Sequence, residues 1–325
     1  METVQMRAMN TDVLLAAEGQ SVQLQSGFEQ ARQFIQDGES RFTRFSEQSE
    51  LSELNRSAGE RFRASPTLFS VVSLARRFFH LTRGLFDPSI LPDLKRVGYD
   101  RSMELLRQQG PAPLFESLLA GERPSLSEME LDEADHTILL PPGMALDLGG
   151  IAKGWIAEQA ANILSNVSTA SVVDAGGDMF LVGLPSGLEQ WPVELEDPLQ
   201  PENTLISLKV NPGAVATSTV TKRVWKQADK NRHHIIDPRT HAPAISDWIS
   251  VTVVAPHAYE AEVFAKALLI AGPQEAQGIA RNSGIQFSYL AVDQAKKIWG
   301  SQESLENLLG TSQNIGLKPF LLPVV

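Results

Sequence analysis

The stretch DLGGIAKGWIAEQAANIL, residues 147–164, limits the fold more than any other part of the chain. Leu146 and Leu148 read as the end of a strand, and Gly149 and Gly150 as a tight turn. Ile151, Trp155, Ile156, Ala160, Ile163 and Leu164 then form the buried stripe of a helix that starts at once. Glycines without a Cβ let backbone N–H groups approach an anion, and a helix N-terminus adds partial positive charge. Lys153 falls in the first helical turn, where a cation opposes the helix dipole, so its presence there points to an anionic partner. A phosphate-bearing ligand satisfies these conditions. An ordinary strand–helix connection with a surface lysine has the same letters, and the segment alone leaves both open.

The remaining pattern mixes strands and helices without regular alternation, which predicts an α+β fold with mixed sheets and packed helices rather than a doubly wound sheet. Residues 4–16 read as one strand. A helix follows, with Phe28, Ala31, Ile35, Phe42 and Phe45 on one face and Gly38 as a possible break. Residues 46–56 suggest a loop and a short helical turn. Ser65 and Pro66 open a second helix whose stripe is Leu68, Val71, Ala75, Phe78 and Phe79, ended by Gly84. The segment 84–100 reads as loop, 101–124 as helix and then a Pro/Gly linker, and 127–148 as strands with a strong turn at Pro141-Pro142-Gly143. Strands are expected at 172–183, 191–197 and 204–210. WISVTVVAP, 248–256, is apolar at successive positions and predicts a central strand covered on both faces. A helix from Ala258 to Ala271, closed by Gly272, and a terminal hairpin over 285–299 complete the reading.

Composition excludes several function classes. The 325 residues are 42% hydrophobic and 21% charged, a globular profile with length for one large or two ordinary domains. A formal net charge of -11 argues against wholesale nucleic-acid binding, which needs a basic face. A single nucleotide is still compatible, because one helix N-terminus and one lysine suffice to hold it. With no cysteine, disulfides, thiolate nucleophiles, iron–sulfur clusters, thiolate zinc sites and a lipid-anchoring cysteine are excluded. The N-terminus lacks a basic stretch followed by an apolar core, and no apolar run approaches the ~18 residues of a membrane span, so the expected setting is cytoplasmic.

Three further motifs carry chemistry. DAGGDMFLVG, 174–183, places two glycines between aspartates, as a turn does that packs closely against a ligand or another segment. VATSTVTKRVWKQADKNRHHIIDPRTHAPA, 215–244, offers small hydroxyl side chains at a strand end and then two histidines before an Asp–Pro turn. Four of the six histidines lie between 233 and 257, and His234 is the candidate base. In APHAYEAEVFAKALLIAG, 255–272, Glu262 and Lys266 are four apart on one helical face, in the order that favours an ion pair.

Taken in order, AMNTD (8–12), SRFTRFSEQSELSELN, GLFDPSI, LDLGGIAKGWIAEQAANIL, VVDAGGDMFLVG, VATST, HHIIDPRT and ISVTVVAP resemble the ApbE family, the FAD:protein FMN transferases. The resemblance runs over nearly the whole chain, 1–325 as a single domain. It implies two lobes with an FAD site between them. By position the FAD contacts would be Met9, Phe45, Leu85, Phe86, Asp87, Asp147, Lys153 and Ile236. It implies a magnesium ion on the FAD pyrophosphate, held by the glycine-turn residue Gly150 and by a helix Asp followed four residues later by Thr. The implied reaction moves FMN from FAD to a Ser or Thr hydroxyl of an acceptor protein, with AMP released and His234 as base. Acceptors carry a motif of the form Asp-x-x-Ser/Thr-Gly-Ala-Thr, which this chain lacks.

Four positions depart from the pattern. The metal-site Asp is Glu262 and its Thr is Lys266; the usual Gly after Thr-Ser is Thr219, and the usual Gly after Asp-Pro-Arg-Thr is His241. Glu262 keeps a hard oxygen ligand, but a Lys266 ammonium has no lone pair for a metal. Three outcomes are open: Lys266 supplies the charge in place of magnesium, the chain binds FAD without transfer, or it hydrolyses FAD to FMN and AMP.

Overall fold

A computed structural model describes residues 1–111, 123–227 and 229–301, with residues 304 and 308. The linker expected near 110–124 falls largely outside the described residues. The chain divides into two compact units, and each is described by itself.

The first unit comprises Met1–Ile35, Lys153–Lys222 and the described residues from Ser246 onward. Its frame is an eight-stranded sheet: β1 (Glu2–Ala8), β2 (Thr11–Glu18), β3 (Ala170–Ala175), β4 (Met179–Gly183), β5 (Gly213–Thr219), β6 (Trp248–Ala255), β7 (Ser288–Asp293) and β8 (Ile298–Trp299). Spatial order follows chain order, and every neighbour pair is antiparallel. The expected α+β mixture with packed helices is present. The single strand expected at 4–16 is instead a hairpin, because Met9 (φ 53°) and Asn10 (φ 57°) both take the left-handed conformation of a two-residue turn between Ala8 and Thr11. The signal missed was Asn10, a residue type that tolerates that conformation.

Seven α-helices are described: α1 (Ser21–Phe42), α2 (Glu50–Arg56), α3 (Pro66–Leu81), α4 (Leu91–Arg96), α5 (Met103–Gln109), α6 (Ala152–Ser165) and α7 (Ala258–Asn282). Strand β6 is buried at nearly every position, as its unbroken apolar run predicts. On one face, Val215 and Val254 pack with the hairpin Trp191–Asp197/Gln200–Val210 through Trp191, Val193, Leu208 and Val210. Helix α7 covers β5 and β6 with a stripe of Ala261, Val263, Phe264, Ala267, Leu268 and Leu269, all fully buried. Each of the larger of these side chains contributes about 1.5–3 kcal/mol on burial. At Gly272 (φ 65°) the helix breaks, then resumes from Pro273 to Asn282. Gly272 therefore marks a kink rather than the expected end, since a proline is tolerated in the first turn of the renewed helix.

The second unit comprises the described residues of Gln36–Ala152 and of Arg223–Ile245. It holds α2 to α5 and three small ladders: Arg61–Arg63 with Thr137–Leu139 and Glu130–Asp132, Val224–Gln227 with Lys230–His233, and Ile236–Asp237 with Ala242–Pro243. Its aromatic core joins Leu94, Val97, Tyr99, Met103, Leu106, Trp225 and Ile236. Helix α1 passes through Gly38 without a break and stops before Phe45, and the segment expected as loop carries α4. Ser65 caps α3 by accepting the Leu68 N–H, as expected.

Leu146 and Leu148 do not finish a strand. Their segment pairs with no strand, and the Asn55 side chain takes the place of a partner strand. Its Oδ1 accepts the Leu146 N–H at 2.7 Å and its Nδ2 donates to the Leu146 carbonyl at 2.9 Å. The Asp147 N–H donates to the Pro88 carbonyl at 2.7 Å. A side-chain amide satisfies both backbone groups of one residue, which sequence periodicity cannot distinguish from a strand neighbour.

Candidate functional site

In the first unit the site centres on Lys153, one residue into α6. Its ammonium donates to Asp178 Oδ2 and, at 2.6 Å, to Glu262 Oε1. Burial disfavours the charge, but Asp178 and Glu262 outweigh it and hold the Lys153 pKa above the ordinary lysine value. The anionic partner that a first-turn lysine calls for is thus, within this unit, a pair of protein carboxylates. Asp178 is oriented by the Thr217 N–H, which donates to Oδ1 at 3.3 Å, while Thr217 Oγ1 lies 2.8 Å from Thr252 Oγ1. This is the VATST segment at work, as a backbone and hydroxyl support at the strand end.

Glu262, 2% exposed, has a second duty: its Oε2 accepts the Gly154 N–H of α6 at 2.9 Å. Helix α6 returns the interaction. Glu158 Oε2 accepts the Ala258 N–H that opens α7, and its Oε1 lies 2.8 Å from His257 Nδ1. Each helix therefore supplies a carboxylate to the unsatisfied N-terminal N–H groups of the other. The close approach requires Gly154, where a Cβ would stand 2.5 Å from the Ala258 carbonyl oxygen.

Next to this cluster lie two turns. Met9, half-buried, takes φ 53°, a conformation uncommon for a side chain without local hydrogen-bonding groups, and such outliers gather at ligand sites. The turn of 174–178 carries Gly176 (φ 71°), where a Cβ would collide with the Thr11 side chain, and its Gly177 N–H donates to Asp174 Oδ1 at 2.7 Å. Burial pushes the Asp174 carboxyl above the usual range, with Asp178 adding to the effect.

The second unit holds Phe45, Leu85, Phe86, Asp87, Asp147, Gly150, His234 and Ile236. Asp147 shapes the glycine turn: Oδ1 accepts the Gly149 N–H at 2.8 Å, and Oδ2 pairs with Arg44 Nε at 2.6 Å. The buried Arg44 guanidinium donates to the Tyr99 carbonyl at 2.8 Å and lies 4.3 Å from the Phe45 ring centroid and 4.6 Å from that of Tyr99. Tyr99 stacks on Trp225 at 5.4 Å and meets His234 edge-on at 6.4 Å. Phe45, Asp147 and His234 are thereby gathered around one cation and one tyrosine, while 38% of Phe45 stays exposed.

Leu85, Phe86 and Ile236 are buried in the protein core. Asp87 Oδ1 accepts from the Ser89 N–H and hydroxyl at 2.8 and 2.7 Å, and burial holds its carboxyl above the usual range despite these bonds. His241, in the place of the family's glycine, has φ 56°, the conformation that favours glycine. Its Nδ1 lies 3.0 Å from the buried Asp93, which also binds Arg96 at 2.8 Å and Arg123. Burial lowers the pKa of His233, whose Nε2 lies 3.2 Å from the Ala244 carbonyl.

A magnesium ion at Glu262 does not fit the residues present. Both Glu262 oxygens are engaged, and Lys266 Nζ stands 3.9 Å from Oε1. At an effective dielectric of about 20, two unit charges about 4 Å apart interact by about 4 kcal/mol. A dication brought to the same carboxylate is opposed by roughly twice that from each ammonium at that range. Among the described residues, no group of three or more His, Asp or Glu is placed to hold a metal ion.

Sequence reasoning missed Asp178, Arg44, Tyr99 and Asp93. Asp178 carried a legible signal, an aspartate ending a glycine pair. Arg44 and Tyr99 are 55 positions apart and meet only through folding.

The ApbE family model matches residues 9–289. A Salmonella typhimurium protein named FAD:protein FMN transferase is 26% identical over 245 residues, spanning 74% of this chain and 69% of that one. A Treponema pallidum protein of the same name is 29% identical over 252 residues, spanning 72% and 68%. The crystal structure of a Thermotoga maritima ApbE protein matches with a TM-score of 0.81 at 23% identity, over 93% of this chain and 97% of that one. Flavinyl transferase ApbE of Pseudomonas stutzeri, in its apo form, gives 0.77 at 15% identity, over 96% and 98%. At such identities the structural likeness speaks for the fold, while the model's span of residues 9–289 settles the lineage: the chain belongs to the ApbE family.

Proposed function

We propose that this chain is an FAD:protein FMN transferase. The observation that carries the reading is Lys153, buried at the N-terminus of α6 between Asp178 and Glu262, in a chain whose curated relatives bear that name. FAD is the donor. The acceptor is a protein hydroxyl, Ser or Thr, in the motif that the family resemblance implies. The oxygen of that hydroxyl forms a bond to the FMN-side phosphorus, the bond from that phosphorus to the bridging oxygen breaks, and AMP leaves with the electron pair. His234 takes the hydroxyl proton.

In this reading Phe45 offers its exposed ring to a flat ligand, and Met9, Leu85, Phe86, Asp87 and Ile236 contact FAD. Asp147 acts by shaping the glycine turn and orienting Arg44, and Gly150 belongs to that turn. Lys153 and the α6 N-terminus bring positive charge to the pyrophosphate. Magnesium is left out, because Glu262 and Lys266 do not form a ligand pair. Residues 1–325 act as one functional domain, in a cytoplasmic setting that cell fractionation of the source organism would check. No helix among the described residues is long and apolar enough to cross a membrane.

Incubation of the protein with FAD and a peptide bearing Asp-x-x-Thr-Gly-Ala-Thr tests the function. A peptide mass gain equal to FMN less water is the expected result. Free FMN and AMP with unmodified peptide would instead make the chain a pyrophosphatase, and intact FAD with unmodified peptide a binding module.

A further inference from the structure

The cluster around Glu262 holds two ammonium groups where the family resemblance implies one ammonium and a metal ion. Lys153 donates to Oε1 at 2.6 Å, the Gly154 N–H donates to Oε2 at 2.9 Å, and Lys266 stands 3.9 Å from Oε1 one helical turn further along α7. A carboxylate offers about four lone-pair directions, and three positively polarised groups already face this one. Asp178, the other carboxylate of the cluster, is held by Lys153 and by the Thr217 N–H. Both aspartate and glutamate of the cluster are thus satisfied by protein donors, and neither is presented as an open metal ligand.

We infer that Lys266 replaces the divalent cation of this site, so that the chain binds the pyrophosphate of FAD by ammonium groups and helix N–H groups alone. This rests on the reading of the chain as an FAD-binding transferase. Glu262 and Lys266 lie at i and i+4 on a helix whose core stripe is fully buried, which fixes the ammonium beside the carboxylate rather than leaving it to sweep through solvent. The side chain is 17% exposed, so its charge acts in a partly desolvated place where solvent and salt screen it little. A lysine is a point charge with three donors and suits a phosphate oxygen. Its charge is fixed to the chain, whereas a metal ion would have to be recruited from solution.

Flavin fluorescence titration of FAD, with EDTA and then with excess Mg2+, provides the test. The wild type is expected to bind FAD with the same affinity, within about twofold, in both solutions. Mn2+ added to the protein–FAD mixture should keep the electron paramagnetic resonance spectrum of the free ion. Lys266→Thr restores an oxygen where the ammonium stood; it should weaken FAD binding in EDTA by about tenfold or more, the loss of one charge-assisted contact. Mg2+ should recover most of that loss. Lys266→Met, which can neither donate nor ligate, should show the loss without the recovery. Wild-type binding that collapses in EDTA, or stoichiometric capture of Mn2+, overturns the inference and leaves the FAD reading intact. No FAD binding by the wild type in either solution overturns the FAD reading and this inference together.

Discussion

Two of the buried ion clusters among the described residues are built with opposite polarity. In the first unit a cation, Lys153, sits at the hub with Asp178 and Glu262 around it. In the second an anion, Asp93, sits at the hub with Arg96, Arg123 and His241 around it. The partners of Lys153 are themselves buried, on a β-strand turn and on α7. Those of Asp93 are long, partly exposed side chains that can turn to water. The difference separates a cluster that must stay intact for its surroundings to be solvated from one that ties loops together at modest cost.

The comparison breaks most sharply at Lys153. Lys153→Met takes the cation from the buried Asp178 and leaves Glu262 with Lys266 at 3.9 Å, and a buried charge that loses its partner in this way costs about 3–5 kcal/mol. Urea denaturation should show the full loss at neutral pH and a smaller one in acid, where the carboxylates are protonated. Asp93→Asn removes the other hub, and the expected cost is lower, about 1.5–3 kcal/mol, because Arg96, Arg123 and His241 regain water. If Asp93→Asn destabilises the protein more than Lys153→Met does, the contrast is wrong.

Asn55 sharpens the same comparison with a neutral group. Asn55→Ala deprives Leu146 of both backbone partners and should cost about 1–3 kcal/mol. It should also loosen the glycine turn, read as faster amide exchange at Gly149 and Gly150. The smallest effect is expected at Asp87. Its carboxyl is held above the usual range by burial, so its contribution to stability is full below the ordinary carboxylate range and fades as pH rises through the raised value. Asp87→Asn should therefore gain on the wild type as pH rises from acid toward neutral, a difference seen by comparing urea midpoints at the two ends. A constant difference would remove the assigned cause.

The sites were legible in unequal parts. Ser65 as a cap, β6 as a covered strand and the helix beginning at the glycine turn all follow from local rules: capping geometry, unbroken apolarity and 3.6-residue periodicity. The Met9–Asn10 turn was not legible, because one strand and a hairpin with a two-residue turn differ only in two backbone angles. Lys153 was legible as a lysine in need of an anion. Which anion it finds within its unit was not, since Asp178 and Glu262 lie 25 and 109 positions away. His241 shows the reverse case: the departure from glycine was visible in the sequence, but the contact its ring makes with Asp93, 148 positions away, was not.

The sequence by itself determined where α3, α6 and α7 begin, that the fold is α+β, which family the chain resembles, and that Lys266 cannot act as a metal ligand. These follow from propensity, patterning and the valence of an ammonium, which need no third dimension. Only the tertiary structure decided that Glu262 spends both oxygens on Lys153 and Gly154, that α6 and α7 cap one another, and that an asparagine stands in for a strand. Those outcomes depend on which polar groups are left without water when distant segments pack, and burial forces each to find its partner wherever the fold supplies one.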